Sequence, residues 1–230
     1  MMEPVLKVEN LQVDLDGRTI IQNLTFELQE RETLVILGPN GAGKTVLLRA
    51  LLSLVPHEGT IAWSGGPKIG YVPQRVVIQK DLPVTVEDFF ELQKVPRDAA
   101  PAALELVGIK DTAFLAKRLG LLSSGQFQRT LIASALAQRA DVLLFDEPMS
   151  GVDMGGEETV HNVLLHTQQE RNLTVVLVTH DLSVVYGDAT HVLCINKQPY
   201  CYGAPKDVLT LSNLQKLYGD SVKVFPHSHE

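Results

Sequence analysis

Cysteine is scarce in this sequence, in which 230 residues contain only Cys194 and Cys201. There is no third thiol, and the separation of the two matches neither a CxxC pair nor the ligand spacing of a zinc site. Isolated thiols of this kind are typical of proteins in reducing compartments. We therefore expect two half-buried thiols that have no chemical role.

Long apolar runs and an excess of positive charge are also missing. No stretch approaches the roughly 18 consecutive apolar residues of a membrane-spanning helix, and no basic segment followed by an apolar one opens the sequence. We expect a protein that is neither secreted nor embedded in a membrane, although it could dock onto a membrane partner. The formal net charge of -7 argues against nucleic-acid binding by counterion release. An anionic ligand therefore needs a local site.

The residues that are present are typical of one folded domain. Hydrophobic residues make up 45% of the chain, and strand-like alternation dominates its first 37 residues. A helical insert is predicted from Thr85 to Ala137, after which short apolar strands return. These later elements are the strands Val142–Phe145, Thr174–Val178 and Val192–Ile195, with a helix near Glu157–Gln169. The alternation of strands and helices predicts an α/β fold with a mainly parallel sheet.

A phosphate-binding motif directly follows the apolar run Leu34–Leu37, which predicts the third strand of the chain. The segment Gly38-Pro39-Asn40-Gly41-Ala42-Gly43-Lys44-Thr45 fits the pattern GxxxxGK[ST], and a leucine-rich run of helical spacing begins at Val46. Glycines let backbone N–H groups surround phosphate oxygens, and a helix N-terminus adds partial positive charge. We expect Lys44 to bind the β and γ phosphates of a nucleotide and the Thr45 hydroxyl to bind Mg²⁺.

Two acidic residues follow a predicted buried strand, since Val142–Phe145 leads directly into Asp146 and Glu147. A phosphoryl-transfer site needs an acidic ligand for Mg²⁺ at the end of a neighbouring strand, and we assign that role to Asp146. Successive strand side chains point to opposite faces. Glu147 is therefore predicted to turn toward an attacking water and to act as the general base.

Two other polar residues follow predicted strands. His180 comes after Thr174–Val178 and Thr179, and the carboxyl ends of strands in a parallel sheet line the ligand crevice. Such a histidine could face the γ-phosphate or could be a purely structural residue. Gln74 comes after Ile69–Val72 and Pro73, and by itself it would be an ordinary polar residue of a surface loop.

Together these positions resemble one family, the ATP-binding subunits of ABC transporters, from about Lys7 to about Gly219. The most specific segment is Leu122-Ser123-Ser124-Gly125-Gln126, which resembles the family signature LSGGQ and ends about twenty residues before Asp146. Glycine-loop kinases and GTPases have no such segment. The resemblance implies one domain over residues 1–230, with an antiparallel β part. Its nucleotide-binding core would cover about 1–75 and 140–220, its helical subdomain 76–139 and a polar tail 221–230.

The resemblance also assigns roles to individual residues. Gln74 matches the Q-loop, Ser150-Gly151-Val152-Asp153 the D-loop and His180 the switch histidine. The implied catalytic residues are Lys44, Gln74, Glu147 and His180. The implied Mg²⁺ ligands are Thr45, Gln74 and Asp146, and the implied ATP contacts are Leu15, the loop from Gly38 to Val46, Ser123, Ser124, Gly125, Gln126 and Asp153.

The family resemblance further implies partners and a location. Two copies would form a head-to-tail dimer that holds each ATP between one phosphate loop and the other copy's signature segment. A helix that opens at Ser123 would offer its N–H groups to the γ-phosphate. The dimer would dock onto integral membrane permease subunits at the cytoplasmic face of the membrane. An importer would also use a solute-binding protein.

Two residues depart from the family pattern. Leu15 occupies the position where the family usually has an aromatic side chain that stacks on adenine. The base contact is therefore expected to be apolar and less oriented. Ser124 replaces the first glycine of the signature; it suits a helix start but adds bulk beside the γ-phosphate. We expect function to be retained.

Three stretches are similar to subunits of zinc and manganese uptake systems, namely Ile69–Arg75, Asp81–Val86 and His191–Asn196. They imply that the ATPase powers import of a divalent transition metal. His227 and His229 have a possible ligand spacing, although a solvated tail is the simpler interpretation. The alternatives are an importer of another substrate, a soluble ABC ATPase that acts on nucleic acid or ribosomes, and a P-loop kinase. We expect no nucleic-acid partner.

Overall fold

The structure is a computed structural model that describes residues 3–74, 76–148, 173–180, 185–187 and 189–219. The chain divides into two compact units. Unit 1 comprises residues 1–65 and 176–230, and unit 2 comprises residues 66–175. Within the described ranges, no helix has both the length and the apolar character needed to cross a membrane.

The helices and strands follow one another in a mixed α/β order. Unit 1 opens with β1 (Leu6–Leu15), β2 (Arg18–Leu28), β3 (Thr33–Leu37), α1 (Lys44–Leu51) and β4 (Glu58–Trp63). Unit 2 continues with β5 (Ile69–Val72), α2 (Val86–Leu92), α3 (Ala99–Leu106), 3₁₀ turns at Thr112–Ala116 and Leu119–Leu121, α4 (Ser124–Ala137) and β6 (Val142–Asp146). The unit boundary falls within β7 (Thr174–Val178). Unit 1 then ends with β8 (His191–Asn196), β9 (Gln198–Gly203), α5 (Pro205–Val208) and α6 (Leu211–Tyr218).

An antiparallel sheet of three strands, in the order β2-β1-β4, forms the first part of unit 1. Buried and more exposed side chains alternate along most of β1, as expected of a sheet with one face on the core. The turn between β1 and β2 is Asp16-Gly17, and both residues have positive φ, of 51° and 71°. Asp-Gly is favoured in such a turn because both central residues must adopt positive φ, and a turn of this kind matches the right-handed twist of the flanking strands.

The second sheet of unit 1 contains the strand that precedes the phosphate loop. In this unit β3 lies between β7 and β8, and β8 also pairs with β9. The β3–β8 pair is parallel, with Leu34 opposite His191, and the β8–β9 pair is antiparallel. All five residues of β3 are buried, which explains its continuous apolar sequence. Neither β9 nor the two helices that follow it was predicted.

The prediction of two separate thiols was wrong, because Cys194 and Cys201 form a disulfide. They lie directly opposite each other in the β8–β9 pair, with Cα atoms 4.9 Å apart. They are seven positions apart in the sequence, and the tight turn between β8 and β9 brings them together in space. Spacing along the chain could not show this, since β9 has no clear strand signal.

Unit 2 contains the predicted helical insert, and its helices lie between residues 86 and 137. Helix α2 begins with a capping box, in which the Thr85 hydroxyl accepts a hydrogen bond from the Asp88 N–H while the Asp88 carboxylate accepts one from the Thr85 N–H. The Thr85 hydroxyl and N–H lower the pKa of Asp88. Strand β5 precedes the insert in the sequence and strand β6 follows it, and the two strands pair in parallel. The helix predicted near Glu157–Gln169 lies outside the described residues.

Candidate nucleotide site

The phosphate loop leaves β3 and enters α1, which confirms the predicted strand, loop and helix. Gly41 and Gly43 have φ values of 79° and 99°, a left-handed backbone that glycine adopts at little cost. Gly43 is the N-cap of α1, and no side chain forms a capping hydrogen bond there. A helix that starts in this way directs its first N–H groups toward an anion.

Lys44 is buried beside this loop, with only 7% of its surface exposed. Its Nζ donates hydrogen bonds to the carbonyl oxygens of Gly38 at 2.8 Å and Pro39 at 3.1 Å. These bonds hold the ammonium group against the loop that the motif predicts as the phosphate site. Thr45 and Val46 follow it in the first turn of α1 and are half-buried.

The turn between β8 and β9 supports the phosphate loop from a distant part of the sequence. The N–H of Lys197 donates to the carbonyl of Ala42 at 3.1 Å, and the carbonyl of Lys197 accepts from the N–H of Gln22 at 2.9 Å. A Cβ atom on Gly38 would lie 2.2 Å from the carbonyl oxygen of Ile195. The first loop residue must therefore be glycine, because this backbone occupies the space of a side chain.

Leu15 lies at the end of β1, half-buried, next to the Asp16-Gly17 turn. In the same hairpin the Asp14 carboxylate accepts hydrogen bonds from the Thr19 hydroxyl at 2.6 Å and the Gln12 amide at 2.8 Å. Both bonds lower the pKa of Asp14, the Thr19 bond more strongly. The hairpin reaches the phosphate loop through Ile20, which lies close to Gly43.

In unit 2, the structure brings the Q-loop residue and the predicted base together. Gln74 follows β5 and Glu147 follows β6, and the Nε2 of Gln74 donates to Oε2 of Glu147 at 2.5 Å. Because β5 and β6 are parallel, the segments that follow these two strands leave the sheet at the same edge. Asp146, the last residue of β6, is only 2% exposed. Glu147 has a φ of 47°, an uncommon value for a non-glycine residue and one that is enriched at functional sites.

The signature segment opens a helix, as predicted. Ser123 is the N-cap of α4, and its hydroxyl accepts a hydrogen bond from the Gln126 N–H at 3.2 Å. The Gln126 side chain accepts one from the Ser123 N–H, also at 3.2 Å, which completes a capping box. Ser123 and Ser124 are exposed, whereas Gly125 is half-buried.

The predicted site residues thus fall into two groups. The phosphate loop from Gly38 to Val46, Leu15 and the exposed His180 after β7 belong to unit 1. Gln74, Ser123–Gln126, Asp146 and Glu147 belong to unit 2. Asp153 and the rest of Ser150-Gly151-Val152-Asp153 lie outside the described residues, as do His227 and His229.

The donor chemistry of the predicted magnesium ligands suits that ion. Thr45, Asp146 and Gln74 offer a hydroxyl, a carboxylate and an amide oxygen, and Mg²⁺ prefers oxygen ligands. In the ranges that the structure describes, no group of three or more His, Cys, Asp and Glu side chains is arranged to hold a metal ion. The described part of the chain therefore offers oxygen ligands for a nucleotide-bound cation and no ready-made site for zinc.

A buried lysine in a glycine loop, in a chain that also has an acidic pair after a buried strand, is typical of P-loop NTPases. Residues 21–150 match the family model described as ABC transporter. The chain belongs to this family, as an ATP-binding subunit with ATPase activity. The predicted fold class is thereby confirmed.

Individual relatives agree with this assignment. The zinc import ATP-binding protein ZnuC of Mannheimia succiniciproducens is 34% identical over 98% of this chain and 87% of its own length. ZnuC of Ruegeria pomeroyi is 37% identical over 97% and 87%. The solved structure of cbiO1 from Clostridium perfringens, part of the ABC transporter complex cbiONQ, is 26% identical. The structural match covers 94% of this chain and 94% of cbiO1, with a TM-score of 0.73.

Some of the supporting residues were missed by sequence analysis. Lys197 and Ile195 contact the phosphate loop from the end of β8. Neither residue type is diagnostic, and each acts through a backbone group that any residue carries. The apolar run Val192–Ile195, which predicts a buried strand, was the only available signal.

Proposed function

We propose that this ATPase subunit powers the import of zinc through a membrane permease, at the cytoplasmic face of the membrane. Its similarity to zinc import ATP-binding proteins along 98% of the chain carries this proposal. The resemblance of Ile69–Arg75, Asp81–Val86 and His191–Asn196 to metal-uptake subunits points the same way. Zinc is the transported substrate in this proposal, which does not require zinc to bind to this chain.

We further propose how the site residues divide the chemistry. Lys44 would neutralise the charge of the β and γ phosphates, and Thr45, Asp146 and Gln74 would hold Mg²⁺, which would supply additional positive charge there. Glu147 accepts the proton of the attacking water, while His180 faces the γ-phosphate. The hydrogen bond from Gln74 to Glu147 supports the orientation of that carboxylate.

The complete site is proposed to need a second copy of the chain. Helix α4 begins with two exposed residues, the N-cap Ser123 and Ser124. The N–H groups and the positive end of the helix dipole at this point can bind an anion. In a head-to-tail dimer this segment would bind the γ-phosphate of the nucleotide that the other copy holds. ATP binding would then close the dimer and hydrolysis would open it.

The permease is proposed to dock next to Gln74. Val76 and Val77 follow that loop and are exposed, Val77 to 95%, and Leu82 lies farther along with 36% of its surface exposed. Exposed apolar side chains in one segment are typical of a surface that a partner covers. A partner bound there could alter the Gln74–Glu147 contact and so couple transport to hydrolysis.

The substrate is tested by zinc uptake in a strain that lacks this gene. Initial uptake of radioactive zinc, measured over minutes in zinc-poor medium, should fall and should be restored by the wild-type gene. The Glu147→Gln gene is the matched control, since it should restore the protein but not the uptake. Loss of manganese uptake alone would assign the subunit to manganese, and normal uptake of both metals would show that the metal assignment is wrong. The ATPase activity would stand in either case.

A further inference from the structure

A single residue makes the turn between β8 and β9. Lys197 lies between Asn196, the last residue of β8, and Gln198, the first residue of β9, and these two residues pair with each other. Lys197 has a φ of 65°, in the left-handed region that is unfavourable for a residue with a side chain. The residue is exposed, and hydrogen bonds of its own backbone hold it in this conformation.

Both backbone groups of Lys197 are bonded to segments that are distant in the sequence. Its N–H donates to the carbonyl of Ala42, in the phosphate loop, at 3.1 Å, and its carbonyl accepts from the N–H of Gln22, in β2, at 2.9 Å. A change in φ would rotate the N–H relative to the carbonyl, so the two bonds together depend on the positive φ. The turn therefore ties the phosphate loop to β2.

The bond to Ala42 fixes the peptide that joins Ala42 to Gly43. In a trans peptide the carbonyl and the N–H point in opposite directions. Because the Ala42 carbonyl points at Lys197, the N–H of Gly43 points away from the β8–β9 turn. Gly43 is the N-cap of α1, and N–H groups of a glycine loop at a helix start are the donors that the motif places around phosphate oxygens.

We propose that Lys197 is a positioning residue for nucleotide binding, which acts through the Ala42 carbonyl to aim the Gly43 N–H at the phosphates. Lys197 itself does not touch the nucleotide. The turn orients this donor before ATP arrives, so ATP binding does not have to order the peptide. The inference rests on the proposed use of the phosphate loop, to which it adds a contact that no motif in the sequence assigns.

The test compares Lys197→Pro with Lys197→Gly in the full chain. Proline has no N–H and requires a φ of about −65°, so the bond to Ala42 is lost, whereas glycine keeps the N–H and adopts a positive φ readily. The dissociation constant of ATP should rise about fivefold in Lys197→Pro, the effect of one misdirected hydrogen bond. In Lys197→Gly it should stay within about twofold of the wild type, because both backbone bonds are kept.

Two further measurements separate positioning from general stability. KM for MgATP should rise in Lys197→Pro while kcat at saturating MgATP stays within about twofold, because the Gly43 N–H is expected to bind the phosphates equally before and during the reaction. Inorganic triphosphate carries phosphates and no base. Its affinity, measured by competition with a fluorescent ATP analogue, should therefore fall by the same factor as that of ATP.

Ser53→Pro is the matched control. Ser53 follows the other end of α1, is also exposed and has a φ of 56°. Its N–H likewise donates to a backbone carbonyl, that of Ala50, at 2.8 Å. The substitution therefore removes a comparable bond away from the phosphate loop, and affinity for both ligands should stay at the wild-type level.

A lower unfolding midpoint of Lys197→Pro with unchanged ligand affinity would mean a merely structural role and would overturn the proposal. Equal losses of affinity in Lys197→Pro and Lys197→Gly would assign the effect to the side chain, and equal losses in Ser53→Pro would assign it to general destabilisation. A wild-type protein that does not bind inorganic triphosphate would contradict the phosphate-loop assignment as well. If Lys197→Pro does not fold, Lys197→Val replaces it with the same outcomes, since a β-branched residue strongly disfavours positive φ.

Discussion

The amide of Gln74 donates a hydrogen bond to the carboxylate of Glu147, with Nε2 and Oε2 2.5 Å apart. The two residues are 73 positions apart, and each comes after a strand of the same parallel pair. A hydrogen bond to a carboxylate restricts the direction in which that carboxylate points. The bond therefore holds the carboxylate of the proposed general base in one orientation.

Gln74→Glu should slow ATP hydrolysis. The new carboxylate cannot donate the hydrogen bond that Gln74 gives to Glu147, so the orientation of the Glu147 carboxylate is lost. We expect kcat at pH 7 to fall at least about tenfold, measured by phosphate release at saturating MgATP. Gln79→Glu, at an exposed position of the same loop, is the control and should keep the wild-type kcat. A wild-type kcat in Gln74→Glu would show that hydrolysis does not depend on the Gln74–Glu147 bond.

Glu147→Gln should bind MgATP normally and hydrolyse it at least about 100-fold more slowly than the wild type. The amide fills the same volume but cannot accept a proton from water, and removal of a general base typically costs this much. ATP affinity by equilibrium fluorescence and kcat by phosphate release check the two statements. Residual activity within threefold of the wild type would exclude Glu147 as the base.

Lys44→Ala and Ser123→Arg should fail in different ways. Lys44→Ala removes the buried ammonium group from the phosphate loop, so ATP binding itself should be lost. Ser123→Arg places a bulky side chain at the exposed start of α4, so the monomer should still bind ATP while turnover by the dimer fails. Titrations of ATP binding with each purified variant distinguish the two. Equal loss of binding would argue against a site shared between two copies.

Reduction of the Cys194–Cys201 disulfide should lower the free energy of unfolding by about 2 kcal/mol, because the link limits the freedom of the unfolded hairpin. Urea unfolding with and without dithiothreitol measures the difference. Cys201→Ser is the control, since dithiothreitol should not change its stability. If dithiothreitol has the same effect on both proteins, the stability change does not come from this disulfide.

Local signals were sufficient to predict much of the site. The buried strand β3, the glycine loop and α1 follow one another without interruption, so spacing along the chain defines the phosphate loop. The capping box that opens α4 involves residues three apart, which local sequence also encodes. Asp146 was predicted at a strand end because apolar residues run continuously to it.

Contacts between distant segments required the tertiary structure. The Gln74–Glu147 bond and the pairing of Cys194 with Cys201 each join residues whose own neighbours give no sign of the partner. Periodicity and motif spacing report only which face of an element is buried and where it ends. Which side chains then meet depends on how strands pair and how the last helix packs, and this is decided by burial across the whole core.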